Sequence, residues 1–291
     1  MSFKRKELVK PYYEDYIPLG FKQVIDNYNY FIWSLSLPEQ LAKLRPSWND
    51  KINSINSELI KPLTQALSKI KTRTNKEIVI IDASSGSGAL VPLLSENIKN
   101  IEDLSNTQFY LTDLKPNTSQ WKPITQDYSN ISFIGDSVDP TLPTNFHQNW
   151  DKSTFKLFLS HSQFNNFYAK KIIKDCLDCD EGFMIVETYQ RETYYILLML
   201  VFLPVFIWLS APFIIRPLSL TKLFFTYIFP INIMLVVFDH VIHCTRARTL
   251  EETKNLTKGL KQGKNWQFIS GSYSGLVPFT YVHYLIGTRK K

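Results

Sequence analysis

Four acid–base side chains and one run of small residues carry the chemistry legible in this 291-residue chain. The run is Asp82-Ala83-Ser84-Ser85-Gly86-Ser87-Gly88. It lacks bulky side chains, so a ligand can approach its backbone closely. Residues 78–81 (IVII) before it are β-branched and apolar, which predicts a strand buried on both faces. Residues 89–94 after it (ALVPLL) predict a helix, with Pro92 near the first turn, where a missing N–H costs little. A strand, a small-residue turn and a helix N-terminus together form a nucleotide or anion site.

The other chemistry-bearing residues recur at matching places. Residues 109–113 (FYLTD) predict a second strand ending in Asp113, with Leu114 next. Residues 131–136 (ISFIGD) predict a third, ending in Asp136, with Ser137 beside it. Residues 155–160 (FKLFLS) predict a fourth, followed by His161 and a helix near 166–179, and residues 182–187 (GFMIVE) a fifth. Strands alternating with helical segments argue a parallel sheet with right-handed crossovers. Ligands of such sheets sit at the carboxyl ends of the strands, where Asp82, Asp113, Asp136 and His161 all fall. A histidine there is a candidate general base; the bland alternative is a histidine hydrogen-bonded at a strand end.

The elements that must position these residues divide the chain into four stretches. Residues 1–74 read as an N-terminal helical region, rich in aromatics (Tyr12, Tyr13, Tyr16, Tyr28, Tyr30, Phe31, Trp33); they form either a packed layer or a lid. Residues 53–70 carry apolar side chains at helical spacing. Residues 75–192 hold the five strand–helix units. Residues 193–245 interrupt them with 22 uncharged residues (194–215), then Arg216 to Lys222, then 16 more uncharged residues (223–238). The first run is long enough to cross a bilayer core and the second is marginal. Pro204, Pro212 and Pro230 are expected to interrupt both runs. We read a membrane-embedded hairpin here, in preference to two buried core helices. Its short loop carries Arg216 and Lys222, and positive charge is disfavoured in a short translocated loop, which favours a re-entrant hairpin over a double span. Residues 246–291 return to soluble character. Thr249 and Glu252 form a capping box for a helix expected to reach about Gln262 with Gly263 as its cap, and two strands close the chain as a hairpin.

Composition narrows the partners. Hydrophobic residues make up 44% of the chain, ordinary for a globular protein. The net charge of +7 comes from scattered basic residues, so no nucleic acid is expected, while anionic lipid is a natural partner. Three cysteines do not make a disulfide framework and fit a reducing compartment. Cys176-x-x-Cys179 lacks a second ligand pair, so no metal is expected. The start, MSFKRKELVK, has no apolar core of a secretory signal.

Five strand–helix units, a glycine-containing first turn and a terminal hairpin resemble a class I S-adenosylmethionine-dependent methyltransferase, over roughly residues 70–190 and 246–288. More narrowly, DASSGSG, TDLKPN, SVDP and the apolar pair resemble a subgroup with a hydrophobic insertion before the last helix and hairpin. Ser84 stands at the first glycine position of the family's motif, and Ser162-Gln163 stand where such proteins often carry adjacent histidines. The resemblance implies a seven-stranded Rossmann-like methyltransferase sheet. It also implies S-adenosylmethionine as cofactor, held by Asp82, Ala83 and the backbone of Ser84 to Gly88, by Asp113 and Leu114 at the ribose, and by Asp136 and Ser137 at the adenine, with Asp139 as an alternative to Asp136. A nicotinamide cofactor is the rival, but Gly86-x-Gly88-x-x-Val91 lacks the third glycine. The implied function is methyl transfer to a lipid-like or apolar small molecule at a membrane, with His161 as base and the catalytic domain facing the cytoplasm. The alternative is a catalytically inactive methyltransferase fold with a membrane-bound assembly or regulatory role.

Overall fold

The computed structural model describes residues 4–6, 8, 16–34, 57–142, 151–159, 161–260, 265–274 and 281–290. Tyr12 and Tyr13 of the aromatic N-terminal stretch lie outside them. The chain forms two compact units, one of residues 34–188 and 249–291, the other of residues 1–33 and 189–248.

The larger unit is built on seven strands: β1 (Ile78–Ala83), β2 (Gln108–Thr112), β3 (Ile131–Phe133), β4 (Ser153–Phe158), β5 (Gly182–Glu187), β6 (Trp266–Ser274) and β7 (Tyr281–Arg289). They form one mixed sheet in the order β3-β2-β1-β4-β5-β7-β6. The first five pair in parallel, and β7 inserts antiparallel between β5 and β6. This is the Rossmann-like sheet expected from the sequence. The order reverses at β1, where β2 pairs on one side and β4 on the other, and a doubly wound sheet binds ligands at such a switch point.

Counting the described helices of both units in chain order from α1 (Leu19–Ser34), four helices follow in this larger unit: α2 (Ser57–Thr74), α3 (Leu90–Lys99), α4 (Thr118–Asp127) and α5 (Asn166–Cys179). The two N-terminal helices thus part company. α1 belongs to the smaller unit, while α2 packs Leu59, Leu63, Leu67 and Ile70 onto the sheet. β1, β4 and β5 are buried along their whole length, as strands covered on both faces must be. Lys156 of β4 is a buried cation within this largely apolar pattern. Its buried ammonium meets Asp175 Oδ2 at 2.7 Å and Asp180 Oδ2 at 3.1 Å, so a charge the strand pattern ignores is paired in three dimensions.

The smaller unit contains α1, α6 (Thr193–Ile214), α7 (Leu220–Tyr227) and α8 (Ile231–Arg246). Val24, Ile25 and Tyr28 of α1 pack with Leu203, Ile207 and Ala211 of α6 and Val236 and Val237 of α8. Two expectations are corrected here. Pro204 and Pro212 lie inside α6 without ending it. Pro212 has no N–H for the carbonyl of Trp208, and the Tyr227 hydroxyl donates to that carbonyl instead, at 3.0 Å. Pro230 does break the second run, which forms α7 and α8 with a 71° bend between them.

A third correction concerns α9 (Leu250–Thr257), which ends five residues before the expected Gln262. Its capping box is present: Thr249 N–H donates to Glu252 Oε2 at 2.9 Å, and Glu252 N–H to Thr249 Oγ1 at 3.2 Å. Gly259, at φ +79°, takes the left-handed position assigned to Gly263, which lies outside the described residues.

Candidate functional site

The carboxyl ends of β1 and β2 lie side by side, Ala83 opposite Thr112, and the small-residue loop is laced between them. Ser84 and Ser85 N–H both donate to the Thr112 carbonyl, at 3.0 and 2.9 Å. Ser85 Oγ donates to the Asp82 carbonyl at 2.9 Å and accepts the Thr112 N–H at 3.1 Å. Gly86 N–H donates to Asp113 Oδ2 at 2.9 Å, and the Gly86 carbonyl accepts Trp121 Nε1–H at 3.0 Å. Gly88 N–H returns to the Ser85 carbonyl at 2.8 Å. Four of the five N–H groups from Ser84 to Gly88 are thus engaged, three by the end of β2 and one within the loop. Ser87 and Ala89 N–H, at the entrance to α3, have no partner among the described residues.

Three positive φ angles shape the loop: Ser84 at +128°, Gly86 at +52° and Gly88 at +74°. The two glycines need their freedom for different reasons. A Cβ on Gly88 would meet Trp121, Leu111 and Ile124 at 3.1, 3.2 and 3.3 Å, whereas a Cβ on Gly86 would enter open space. The backbone at Gly86 is thus bare on the side a ligand can approach. Ser84 holds a conformation that L residues rarely adopt, at a cost of about 1–3 kcal/mol. Ser84→Gly should raise the thermal midpoint by an amount worth about 1 kcal/mol, contrary to the usual loss on introducing glycine. A lowered midpoint would show that the serine is not strained.

Beneath the loop, Asp82 is 1% exposed and its carboxylate oxygens have no hydrogen-bond partner among the described residues. Burial pushes its carboxyl up to about 8; the Ser85 hydroxyl works the other way and the Asp113 charge adds to the rise. Asp113 is also buried, yet each of its oxygens holds a backbone N–H, Gly86 on Oδ2 and Lys115 on Oδ1, both at 2.9 Å.

The third strand ends at Phe133, so Asp136 lies on the following loop and is exposed, which corrects its assignment to the strand end. That loop is tied to the end of β2. Val138 N–H donates to the Asp113 carbonyl at 2.9 Å, and Ser137 Oγ to the Leu114 carbonyl at 2.7 Å. Leu114, 46% exposed, forms an apolar lip there. The fold therefore joins Asp82, Ala83, Ser84 to Gly88, Asp113, Leu114 and Ser137 through adjoining strands and hydrogen bonds. His161 is placed differently. It opens a short 3-10 turn after β4, is 1% exposed, and lies edge-on to Phe158 and Phe164 with ring centroids 5.7 and 6.1 Å away.

Sequence reasoning missed the bracing by the Ser85 hydroxyl, the Thr112 carbonyl and the Trp121 indole. The extra serine in the loop was a usable signal for Ser85. Nothing local marks Trp121, 35 residues beyond the glycine whose carbonyl it binds. Among the described residues no group of three or more His, Cys, Asp or Glu side chains could hold a metal ion, and Cys176 is buried while Cys179 is exposed.

No protein-family model matches the chain, and no curated protein does. Solved structures similar to it include many S-adenosylmethionine-dependent methyltransferases. One, from Anabaena variabilis, is 12% identical, covering 99% of this chain and 100% of that one with a TM-score of 0.44. The methyltransferase domain of bacterial CtHen1 is 10% identical over 78% of this chain and 98% of its own, with a TM-score of 0.44. The N-methyltransferase NodS of Bradyrhizobium japonicum, solved with S-adenosyl-L-homocysteine, is 7% identical over 87% of this chain and 98% of its own, with a TM-score of 0.42. At these identities the likeness concerns the fold.

Proposed function

We propose that this chain is a membrane-associated S-adenosylmethionine-dependent methyltransferase acting on a lipid-like or apolar small molecule. The observation that carries the cofactor half is Asp82, a buried carboxylate without a donor among the described residues, under a loop whose backbone is bare at Gly86. Such a carboxylate suits the ammonium of an amino-acid moiety. Ser87 and Ala89 N–H, at a helix N-terminus, suit its carboxylate. Asp113, a buried carboxylate at the end of β2, suits a ribose diol. Leu114 and Ser137, with Asp136 on the same loop, suit a planar base with an exocyclic amine. When bound, S-adenosylmethionine supplies an electrophilic methyl group on a sulfonium. The chain's own residues then have to hold and orient an acceptor and exclude water.

His161 stands as the candidate base of this reading. Its burial between two phenylalanines favours a second reading, in which the fold binds the cofactor without transferring a methyl group and serves membrane-bound assembly or regulation. Calorimetry with S-adenosylmethionine and S-adenosylhomocysteine on detergent-purified protein tests the cofactor half. Label transfer from methyl-labelled cofactor into a lipid extract separates the two readings. Binding without transfer selects the second, and no binding sinks both.

The membrane half rests on α6. It has 22 residues and no charge, and most of its surface is exposed, including Phe202, Leu209 and Phe213. A helix that is apolar all round belongs in a covered core or in lipid, and about half of this one's positions stay exposed. Free cysteines fit a catalytic domain on the cytoplasmic face.

A further inference from the structure

In the reading above, the cofactor takes one half of the sheet's carboxyl rim. Its amino-acid end lies at the loop after β1, its ribose at Asp113 after β2, and its base beside the loop after β3. A methyl acceptor then has to approach from the other half, which β4, β5 and β7 form. Among the described residues at those strand ends, the carboxyl and imidazole groups are Glu187, His161 and His283. Glu187 and His161 are 3% and 1% exposed. His283 is half-buried, and its setting is different.

β7 runs antiparallel to β5, so its first residues stand beside the last of β5, with His283 opposite Glu187. On the other side, His283 is opposite Ser272 of β6. Directly opposite residues of an antiparallel pair share one face of the sheet. The next row on that face is Ile185, Leu285 and Ser270, and Ile185 and Leu285 belong to the apolar core. His283 therefore stands where the core stops and the rim begins. Ser272 and Tyr281, on the same face, are exposed. The His283 side chain makes no hydrogen bond or ion pair with the described residues. Its Nδ1 is buried, whereas Nε2 is not enclosed. Burial holds the imidazole below the ordinary histidine value, so it is neutral at pH 7. A neutral imidazole has one nitrogen that accepts a proton. Neither ring nitrogen of His283 is spent on the fold.

We infer that His283 takes the proton from a hydroxyl or amine of an acceptor bound over β4 and β5. This rests on the methyltransferase reading above, and it makes the acceptor atom a protic oxygen or nitrogen. His161, enclosed by Phe158 and Phe164, is poorly placed for that work. Adjacent strands lie about 5 Å apart, so β7 stands about 10 Å beyond β4, which leaves room for an acceptor between His283 and the cofactor. In the transfer, a lone pair of the acceptor atom forms the bond to the methyl carbon. The bond from that carbon to sulfur breaks, and its electron pair stays on sulfur. The acceptor's proton passes to His283 Nε2 and from there to solvent.

The test uses the full chain purified in detergent, S-adenosylhomocysteine for binding, and methyl-labelled cofactor with a lipid extract for transfer. Diethylpyrocarbonate should modify His283, read by mass spectrometry of the tryptic peptide from Asn265 to Arg289, which holds no other histidine. Loss of transfer should track modification of this peptide, and hydroxylamine should reverse both. His283→Ala should lower transfer by about a hundredfold or more and leave S-adenosylhomocysteine affinity unchanged. Added imidazole should restore part of that loss, which a merely structural role would not allow. An unmodified His283 overturns the inference, as does full transfer after its modification or in His283→Ala. So does a loss that imidazole leaves unrestored in a variant that still binds S-adenosylhomocysteine. If His283→Ala does not bind it, the modification of the unaltered protein decides. Where the unaltered protein transfers label, these failures defeat this inference alone. Binding without transfer in the unaltered protein defeats it together with the methyltransferase reading, and no binding defeats the cofactor as well.

Discussion

Asp113→Ala is expected to weaken S-adenosylhomocysteine binding by at least about a hundredfold. Each Asp113 oxygen already accepts one backbone N–H. A carboxylate has about four acceptor positions, which suits it to take a vicinal diol as a further partner. Hydrogen bonds to a charged group are worth about 1.5–3 kcal/mol each, and two of them amount to roughly 10²- to 10⁴-fold in affinity. The substitution also frees Gly86 N–H, so the loop loses its brace as well as the ligand its acceptor. Asp113→Asn separates the two effects, since it keeps the size and one carbonyl oxygen but places an NH₂ against a backbone donor. Calorimetry at 25 °C reads the affinity, and a thermal melt of each variant confirms that it is folded. Unchanged affinity in Asp113→Ala would remove the end of β2 from the site.

The second large effect is pH dependence centred on Asp82. Burial raises its folded pKa to about 8, against 3.8 for the free side chain. Below 3.8 both folded and unfolded forms carry the proton, and this residue contributes no pH dependence. Between 3.8 and 8 the folded form keeps a proton that the unfolded chain has lost. Stability therefore falls as pH rises, by about 1.4 kcal/mol per unit, and levels off above 8. Asp82→Asn removes the titration and should raise the stability of ligand-free protein at pH 8 by several kcal/mol. The sign reverses for binding. A cationic ammonium selects the ionised carboxylate, so cofactor affinity should climb toward pH 8, by up to about tenfold per unit, with a proton released on binding. In Asp82→Asn the slope from this residue should vanish and the affinity at pH 8 should drop. Calorimetry at pH 6, 7 and 8, in buffers of different ionisation enthalpy, measures both slope and proton release. An unaltered protein with flat affinity would show that the cofactor does not address Asp82.

Several features follow from contiguous residues and were legible without coordinates. The run IVIID followed by ASSGSG makes β1 and its loop because β-branched residues favour a covered strand and small residues permit positive φ. The alternation from β1 to β5, the capping box at Thr249 and the terminal hairpin are local patterns of the same kind. So is the length of α6, set by 22 uncharged residues.

What the tertiary structure alone decided depends on partners distant along the chain. Asp113 reads in sequence as a strand-end acid free for a ligand. Its engagement with Gly86, 27 residues earlier, appears only when β1 and β2 align. The same alignment turns loop donors inward and leaves Ser87 and Ala89 facing the helix entrance. His161 looked like a rim residue until the turn after β4 set it between Phe158 and Phe164. Pro212 looked like a break until the Tyr227 hydroxyl reached the carbonyl it leaves without a donor. Helix α1 looked like part of one N-terminal region until Tyr28 bonded the Ile207 carbonyl, 179 residues away, at 3.0 Å. Local propensity specifies which residues form a strand or a helix. Which polar groups are left for a ligand depends on which ones the packed chain has already paired, and that is settled only when elements distant in sequence meet.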